Sequence, residues 1–139
     1  ASRHDGPVVL FTGDLALLHD LGALVGAARV GLHLTIVCVD NDGGGIFSML
    51  PIAGRPDAVP AADFETLFRT PHGLDLVGFD GIGGVRARAV GDEATLRGEL
   101  ARSTTGTTPG VDLLVVPVDR DADVAQRRAV TAAVRAAVT

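Results

Sequence analysis

Mostly apolar runs alternate with segments of helical periodicity along this chain of 139 residues. The first run extends from Val8 to Phe11 and the second from Leu32 to Val39, and short continuous runs of this kind are typical of buried strands. Between them, from Leu15 to Ala28, apolar side chains recur at helical spacing. The pattern predicts a strand–helix–strand unit in which the two strands are parallel and the crossover is right-handed.

The second half of the chain repeats this alternation. A half-exposed strand is predicted from Val85 to Val90, and a helix from Glu93 to Arg102 follows, with Asp92 as its N-cap. A last strand is predicted from Val111 to Val118, and a final helix from Ala122 to Val138 has an apolar stripe formed by Val124, Val130, Val134 and Val138. The predicted fold class is α/β, a doubly wound, mostly parallel sheet with helices on both faces, built as a single domain by residues 1–139.

Composition narrows the class of protein. The chain is 47% hydrophobic with a net charge of −5, and it has neither the basic face nor the aromatic platform of a nucleic-acid binder, so nucleic acid is excluded as a partner. No apolar run approaches the roughly 18 residues of a membrane span. The single cysteine, Cys38, lies within a predicted strand, which is typical of a reducing compartment. We therefore expect a cytoplasmic globular protein with no membrane span.

Polar residues follow the first two predicted strands. Gly13 and Asp14 follow the first strand, and the run Asp40-Asn41-Asp42-Gly43 follows the second. Because the carboxyl ends of neighbouring parallel strands share one edge of the sheet, we expect Asp14 and Asn41 to point into one crevice, where ligands of such sheets bind. Their carboxylate and amide oxygens, together with backbone carbonyls in the run Gly43 to Gly45, suit Mg²⁺ or Ca²⁺ rather than zinc.

The same edge also predicts a phosphate site. The helix that is predicted to begin at Leu15 presents free N–H groups and the positive end of its dipole, and these favour an anion. Gly13 places no side chain in the way. Few protein ligands plus phosphate oxygens and water are the usual surroundings of Mg²⁺, so the residues together predict a site for a magnesium-bound diphosphate.

At these residues the chain resembles the enzymes that depend on thiamine diphosphate (ThDP), which have a Gly-Asp pair and, further along, an Asn pair. The resemblance implies that ThDP and Mg²⁺ are the cofactors and that Asp14, Asn41 and the backbone of Gly43 hold the metal. The first Asn of the pair is replaced by Asp40 here, whereas the second, which is the usual ligand, is kept. The resemblance also implies that the backbone near Leu15 receives the diphosphate. The remaining residues of the implied cofactor pocket are Gly13, Gly44, Gly45, Ile46 and Phe47.

Two further strings are more specific than the metal motif. G-G-G-I-F-S-M-L-P and T-P-H-G-L-D are similar to segments of the 2-succinyl-5-enolpyruvyl-6-hydroxy-3-cyclohexene-1-carboxylate synthases (MenD synthases) of menaquinone biosynthesis. The resemblance extends from about Val8 to Val138. It implies a transferase that decarboxylates 2-oxoglutarate and adds the succinyl unit to isochorismate, with Ile46 and Phe47 on the apolar side of the pocket.

The resemblance also implies that part of the enzyme lies elsewhere. The glutamate that activates the cofactor in this family comes from another domain, and Glu65, Glu93 and Glu99 lie in segments that do not match it. We therefore expect no catalytic residue and no turnover from this chain by itself. The family also has a helix and a strand before the Gly-Asp turn, so a fragment of a longer protein is expected, which acts as a homodimer or homotetramer.

Two alternative functions are also compatible with the sequence. Another ThDP carboligase, similar to acetolactate synthase, would keep the metal motif but lack T-P-H-G-L-D. A non-catalytic α/β module that binds Mg²⁺ and a nucleotide is a second alternative, although a receiver-like switch needs a lysine and this chain has none. His72 either stabilises its turn or hydrogen-bonds substrate, and Arg55 and Arg69 are either solvated or bind substrate carboxylates.

Overall fold

The computed structural model describes residues 6–106 and 109–138. Its strands are β1 (Val8–Gly13), β2 (His33–Asp40), β3 (Val85–Ala89) and β4 (Gly110–Pro117), and its helices are α1 (Asp14–His19), α2 (Leu21–Arg29), α3 (Ala61–Phe64), α4 (Glu93–Thr105) and α5 (Arg120–Val138). The chain forms two compact units. Of the described residues, the sheet unit comprises 6–40, 74–106 and 109–117, and the helical unit comprises 41–73 and 118–138.

The sheet unit contains a four-stranded parallel sheet with the order β1-β2-β4-β3. Gly13 lies opposite Val39 in the β1–β2 pair, so the two strands of the predicted strand–helix–strand unit are neighbours and run in parallel. Among the described residues, β1 and β3 are the edge strands. The predicted α/β class with a mostly parallel sheet is confirmed.

Helices cover both faces of this sheet. On one face, Leu17 of α1 and Leu24 of α2 pack against a core that includes Ile36, Cys38 and Leu113. On the other face, Leu96 and Leu100 of α4 pack against Val37, Val90 and Leu114. Each fully buried side chain of this size contributes about 1.5–3 kcal/mol through removal of apolar surface from water. Successive residues in the middle of β2 and β4 therefore belong to opposite cores, which explains why the runs 36–39 and 113–116 are continuously apolar.

The predicted single helix from Leu15 to Ala28 is wrong, because the chain breaks it at Asp20. α1 ends at His19 and α2 begins at Leu21, with Asp20 at φ −107° and ψ 17° between them. The Asp20 N–H donates to the Leu17 carbonyl oxygen at 3.1 Å, which closes α1 with a tight turn. Aspartate and the nearby Gly22 are both poor helix formers, so an uninterrupted helix is not favoured there.

The helical unit is built from short turns and one long helix. The 3-10 turns Gly45–Met49 and Pro51–Gly54 precede α3, which continues into a π-helical turn at Glu65–Arg69. Phe68 is in edge contact with Phe47 and stacks on Phe64, with centroids 5.7 and 5.3 Å away. α5 is capped by Asp119, whose Oδ1 accepts the Ala122 N–H at 2.7 Å.

The predicted stripe of α5 is only partly buried. Val124 is buried, whereas Val130 and Val134 are each 57% exposed and Val138 is 79% exposed. The stripe prediction is therefore wrong for its last three members. None of the helices in residues 6–106 and 109–138 combines the length and apolar character that a membrane crossing requires.

Candidate functional site

Two acidic residues follow neighbouring strands of the sheet unit. Asp14 begins α1 directly after β1, and Asp40 is the last residue of β2. Because Gly13 and Val39 are register partners, both acids lie at the carboxyl edge of the sheet. Asp14 is only 3% exposed. The sheet unit thus places one buried carboxylate, and a second one at the end of the neighbouring strand, at the edge where ligands of parallel sheets bind.

Cys38 reports the electrostatic character of this edge. Burial, together with the negative charges of Asp14 and Asp40, raises the pKa of its thiol to about 12. The thiol therefore stays protonated near neutral pH and is not a nucleophile. Two carboxylates close enough to oppose a thiolate make this edge of the sheet unit suitable for a cation.

The start of the first helix, where a phosphate site is predicted, differs from the prediction in its first residue and in its free N–H groups. The helix begins at Asp14, one residue earlier than predicted, and the Leu15 N–H donates to the Asp14 Oδ1 at 2.7 Å. α1 also has only six residues, so its dipole is small. The Leu15 N–H is thus not free, and its bond orients the Asp14 carboxylate. Gly13 is exposed.

In the helical unit, neighbouring atoms explain why each residue of the run Gly43 to Gly45 is a glycine. A Cβ on Gly43, which has φ 127°, would collide with the Arg69 carbonyl oxygen. A Cβ on Gly44 would lie 2.6 Å from the Phe68 carbonyl oxygen and 2.8 Å from the Phe47 ring. A Cβ on Gly45 would collide with Nδ2 of Asn41, so the Asn41 amide lies directly against Gly45. The run is glycine because the backbone is approached closely at three successive positions.

The Gly43 carbonyl forms part of a tight turn. Gly44 has φ −77° and ψ 63°, and the Gly45 N–H donates to the Gly43 oxygen at 2.9 Å, which is an inverse γ-turn. The Gly44 N–H donates to the Arg69 oxygen at 2.7 Å and fixes the turn from the other side. A carbonyl oxygen has two lone pairs, so this one can accept the hydrogen bond and bind a cation as well.

Asp42 fastens the loop at His72, and the sequence alone did not identify this role. Its Oδ1 accepts the backbone N–H groups of His72 at 3.0 Å and Gly73 at 2.8 Å, and its Oδ2 accepts from Arg120 at 3.3 Å. The Gly73 hydrogen bond, then the nearby His72 and Arg120, lower the pKa of Asp42. Asp42 has φ 58°, a left-handed conformation that Asp and Asn tolerate better than most residues. An aspartate directly before the glycine run was therefore the feature of the sequence that could have indicated this turn.

The other candidate residues of the helical unit have distinct surroundings. The His72 ring is nearly buried, with Nδ1 3.7 Å from Asp42 Oδ1, which fits a turn-stabilising role. Arg69 pairs with Glu65 and Asp121, whereas Arg55 forms a solvent-exposed pair with Asp57. The two apolar candidates also differ, because Ile46 is 70% exposed while Phe47 packs on Phe68.

Comparison with known proteins agrees with these features. A family model described as "Thiamine pyrophosphate enzyme, C-terminal TPP binding domain" matches residues 1–106. The 2-succinyl-5-enolpyruvyl-6-hydroxy-3-cyclohexene-1-carboxylate synthase of Myxococcus xanthus (strain DK1622) is 49% identical over 120 residues, which are 86% of this chain and 19% of that protein. The synthase of the same name from Lactococcus lactis subsp. cremoris (strain SK11) is 39% identical over 126 residues, or 91% of this chain and 21% of that protein. The chain thus spans about a fifth of the length of these relatives.

A solved structure supports the same fold. The Rhodococcus jostii RHA1 thiamine diphosphate-dependent 4-hydroxybenzoylformate decarboxylase aligns with a TM-score of 0.64 over 83% of this chain and 20% of that chain. Its sequence identity is 20%, so this likeness shows the fold alone. The resemblance to the MenD synthases rests instead on the curated relatives, which are similar over most of the chain. The chain belongs to the family of C-terminal TPP binding domains of thiamine pyrophosphate enzymes.

Proposed function

We propose that this chain is the cofactor-binding part of a ThDP- and Mg²⁺-dependent transferase that decarboxylates 2-oxoglutarate and adds the succinyl unit to isochorismate in menaquinone biosynthesis. The observation that carries this proposal is the buried carboxylate of Asp14 directly after β1, in a chain that is 49% identical over 120 residues to a synthase of that name. The cytoplasmic location and the homodimeric or homotetrameric state remain predictions.

The proposed Mg²⁺ ligands are the Asp14 carboxylate, the Asn41 amide oxygen and the Gly43 carbonyl. All three are hard oxygen donors, the type that Mg²⁺ prefers. In the helical unit, the nitrogen of the Asn41 amide lies against Gly45, and the amide oxygen is the atom farther from Gly45. In the sheet unit, the Leu15 N–H holds one Asp14 oxygen in place. The donor set and the local geometry of each unit therefore fit the metal.

The remaining proposed cofactor residues act through their backbone or their apolar surface. Gly13 leaves room for close approach of a diphosphate, because an added Cβ there would meet only the Val39 carbonyl oxygen at 4.0 Å. Gly44, Gly45 and Leu15 are proposed to contribute backbone rather than side chain. Ile46 offers an exposed apolar side chain, and Phe47 is held by its edge contact with Phe68. An apolar wall excludes water from the reacting centre and favours loss of a charged carboxylate. When bound, ThDP supplies the electron sink for decarboxylation.

The proposal assigns no acid–base group of the reaction to this chain. The glutamate expected to activate the cofactor has no match here, so we predict that the 139 residues alone bind ThDP weakly and catalyse no succinyl transfer. Succinyl transfer by these residues in isolation would contradict this part of the proposal. The small-molecule partners, 2-oxoglutarate and isochorismate, are likewise proposed for the complete protein.

The decisive experiment uses the full-length protein with 2-oxoglutarate and isochorismate, and follows the succinylated product by mass spectrometry. Product is expected only when ThDP and Mg²⁺ are both present. Asp14→Asn is expected to abolish it, whereas Asp20→Asn, at an exposed position between α1 and α2, is the matched control and is expected to retain it. Activity with pyruvate in place of 2-oxoglutarate would instead support an acetolactate synthase-like carboligase.

Calorimetry separates the proposal from the non-catalytic alternative. The same protein is titrated with ThDP in the presence of Mg²⁺ and, separately, with ATP in the presence of Mg²⁺. The proposal predicts saturable binding of ThDP and none of ATP in the same concentration range. Preference for ATP would reject it.

A further inference from the structure

A polar pocket lies at the edge of the sheet unit opposite the carboxyl edge. The pocket has a volume of about 320 Å³ and lies between the amino-terminal ends of the strands and the end of α4. Its lining residues are His33, Arg86, Arg102, Ser103, Gly106 and Asp112. At about 3.3 Å per strand residue, the length of β2 separates this edge from Asp40 by roughly 23 Å. The pocket is therefore distinct from the carboxyl edge where Asp14 and Asp40 lie.

The pocket is built around a buried carboxylate that is surrounded by arginines. Asp112 is almost fully buried, and its oxygens accept hydrogen bonds from Arg86 at 2.8 and 3.1 Å, Arg88 at 2.7 Å and Arg102 at 3.3 Å. Glu99 accepts from Arg88 and Arg102, each at 2.8 Å. The hydrogen bonds from Arg86 to Asp112 raise the pKa of this guanidinium, which keeps it charged. This cluster therefore contains three positive and two negative side chains.

We infer that this pocket binds a small oxyanion, a phosphate or carboxylate group, through the outer edges of Arg86 and Arg102. The positive excess stands out in a chain whose net charge is −5. The negative charge of Asp112 is outweighed at this site, because its buried carboxylate is paired with three guanidinium groups. The volume lies at the lower end of the range for ligand pockets, about 300–1,000 Å³, so the ligand is small.

The donors for this anion are the guanidinium groups that line the pocket. Within the described part of the chain, no hydrogen bond uses Nη1 of either Arg86 or Arg102. The Arg86 guanidinium lies against Gly110, where any side chain would collide with it. The planar guanidinium matches the geometry of carboxylate and phosphate oxygens, and such charge-assisted bonds are about twice as strong as neutral ones.

His33 and Ser103 form the wall of the pocket beside these arginines. The His33 Nε2 lies 2.7 Å from the Ser103 carbonyl oxygen. Because a carbonyl oxygen only accepts, this nitrogen carries the proton, and the hydrogen bond connects the start of β2 to the end of α4. Ser103 is itself buried, with its hydroxyl donating to the Leu100 carbonyl oxygen at 3.1 Å. The wall is therefore held by hydrogen bonds before any ligand enters.

The test is calorimetric titration of the full-length protein with inorganic phosphate and, separately, with acetate, at an ionic strength held constant with NaCl. Saturable binding of at least one of the two is expected, and the tighter one identifies the ligand class. Arg102→Gln is expected to weaken that binding by roughly tenfold or more, the usual effect of losing a charged hydrogen bond. Arg97→Gln is the matched control, since Arg97 lies on the same helix but pairs with Glu93 in solvent, and its binding should be unchanged.

Three results would overturn the inference. These are the absence of saturable binding by either anion, binding that survives Arg102→Gln, and equal weakening by Arg97→Gln. Phosphate bound at the proposed diphosphate site would survive Arg102→Gln, so that case is recognised as a failure of this inference and not of the proposed function. If Arg102→Gln does not fold by circular dichroism, Arg102→Lys keeps the charge but loses the planar fork, and it should also weaken binding.

Discussion

Replacing Gly45 by alanine tests the position of Asn41 with little effect on the rest of the fold. An ideal Cβ at Gly45 overlaps Nδ2 of Asn41 and lies 3.3 Å from its Cγ. Gly45 does not have a positive φ, so alanine is compatible with its backbone. The colliding atom is the end of a flexible side chain, and Asn41 can therefore rotate away. The substitution moves the amide oxygen that we propose as a Mg²⁺ ligand.

The expected magnitudes differ for folding and for metal binding. A shifted surface side chain lowers the free energy of unfolding by about 1 kcal/mol or less. Loss of the group that orients a metal ligand lowers metal affinity by about 10–100-fold. Gly44→Ala gives the opposite balance, because its Cβ meets the Phe68 backbone and the Phe47 ring, and overpacking of this kind lowers stability by about 1–3 kcal/mol.

The assay is titration of Mg²⁺ into the full-length protein at fixed ThDP, monitored by calorimetry and by product formation. Gly54→Ala is the matched control, since a Cβ there meets nothing within 4 Å and Gly54 lies in the neighbouring 3-10 turn. Gly45→Ala should require about 10–100-fold more Mg²⁺, whereas Gly54→Ala should behave as the unmodified protein. Equal Mg²⁺ dependence of the two variants would refute the role of Asn41.

Three further predictions concern single side chains. The pKa of Asp42 in the folded protein lies below that of an ordinary carboxyl group. Its carboxylate therefore stabilises the fold above the ordinary carboxyl pKa, and this contribution is lost as the pH falls through the folded-state pKa. Asp42→Asn should flatten the acid side of a curve of stability against pH measured by urea unfolding. Cys38, with a pKa of about 12, should not react with a thiol reagent at pH 8 in the folded protein but should react in denaturant, and rapid labelling of the native form would contradict its burial. Asp112→Ala should lower the free energy of unfolding by about 3–5 kcal/mol, because it leaves guanidinium groups without their partner, and a loss below 1 kcal/mol would show that water replaces the carboxylate.

The sequence predicted the sheet well because its signal is local and strong. The continuous apolar runs of β2 and β4 left little choice other than buried parallel strands, and the structure confirms both. The end of the first helix was missed because the break at Asp20 depends on a single tight turn, which a periodic pattern over Leu15 to Ala28 does not show. Periodicity averages over several turns and is insensitive to one residue.

The residues that sequence reasoning missed depend on distant contacts. From the sequence, Asp112 was only a polar residue within an apolar strand. Its arginine partners lie on β3, which is its neighbour because of a strand order that no local pattern specifies. Asp42 is 30 positions from His72, the residue whose N–H it accepts. The valines of α5 show that an apolar stripe does not determine what packs against it. The sequence predicted the stripe, but three of its four members are exposed.

The edge strand β1 has a practical consequence for handling this polypeptide by itself. Val9, Leu10 and Phe11 are exposed there, with Phe11 at 73%, on an outermost strand of the described sheet. An exposed edge strand of this kind pairs with strands of other molecules, so the isolated 139 residues should aggregate at high concentration. A lysine in place of Phe11 introduces a gatekeeper charge, and it should extend shelf life without disturbing either core.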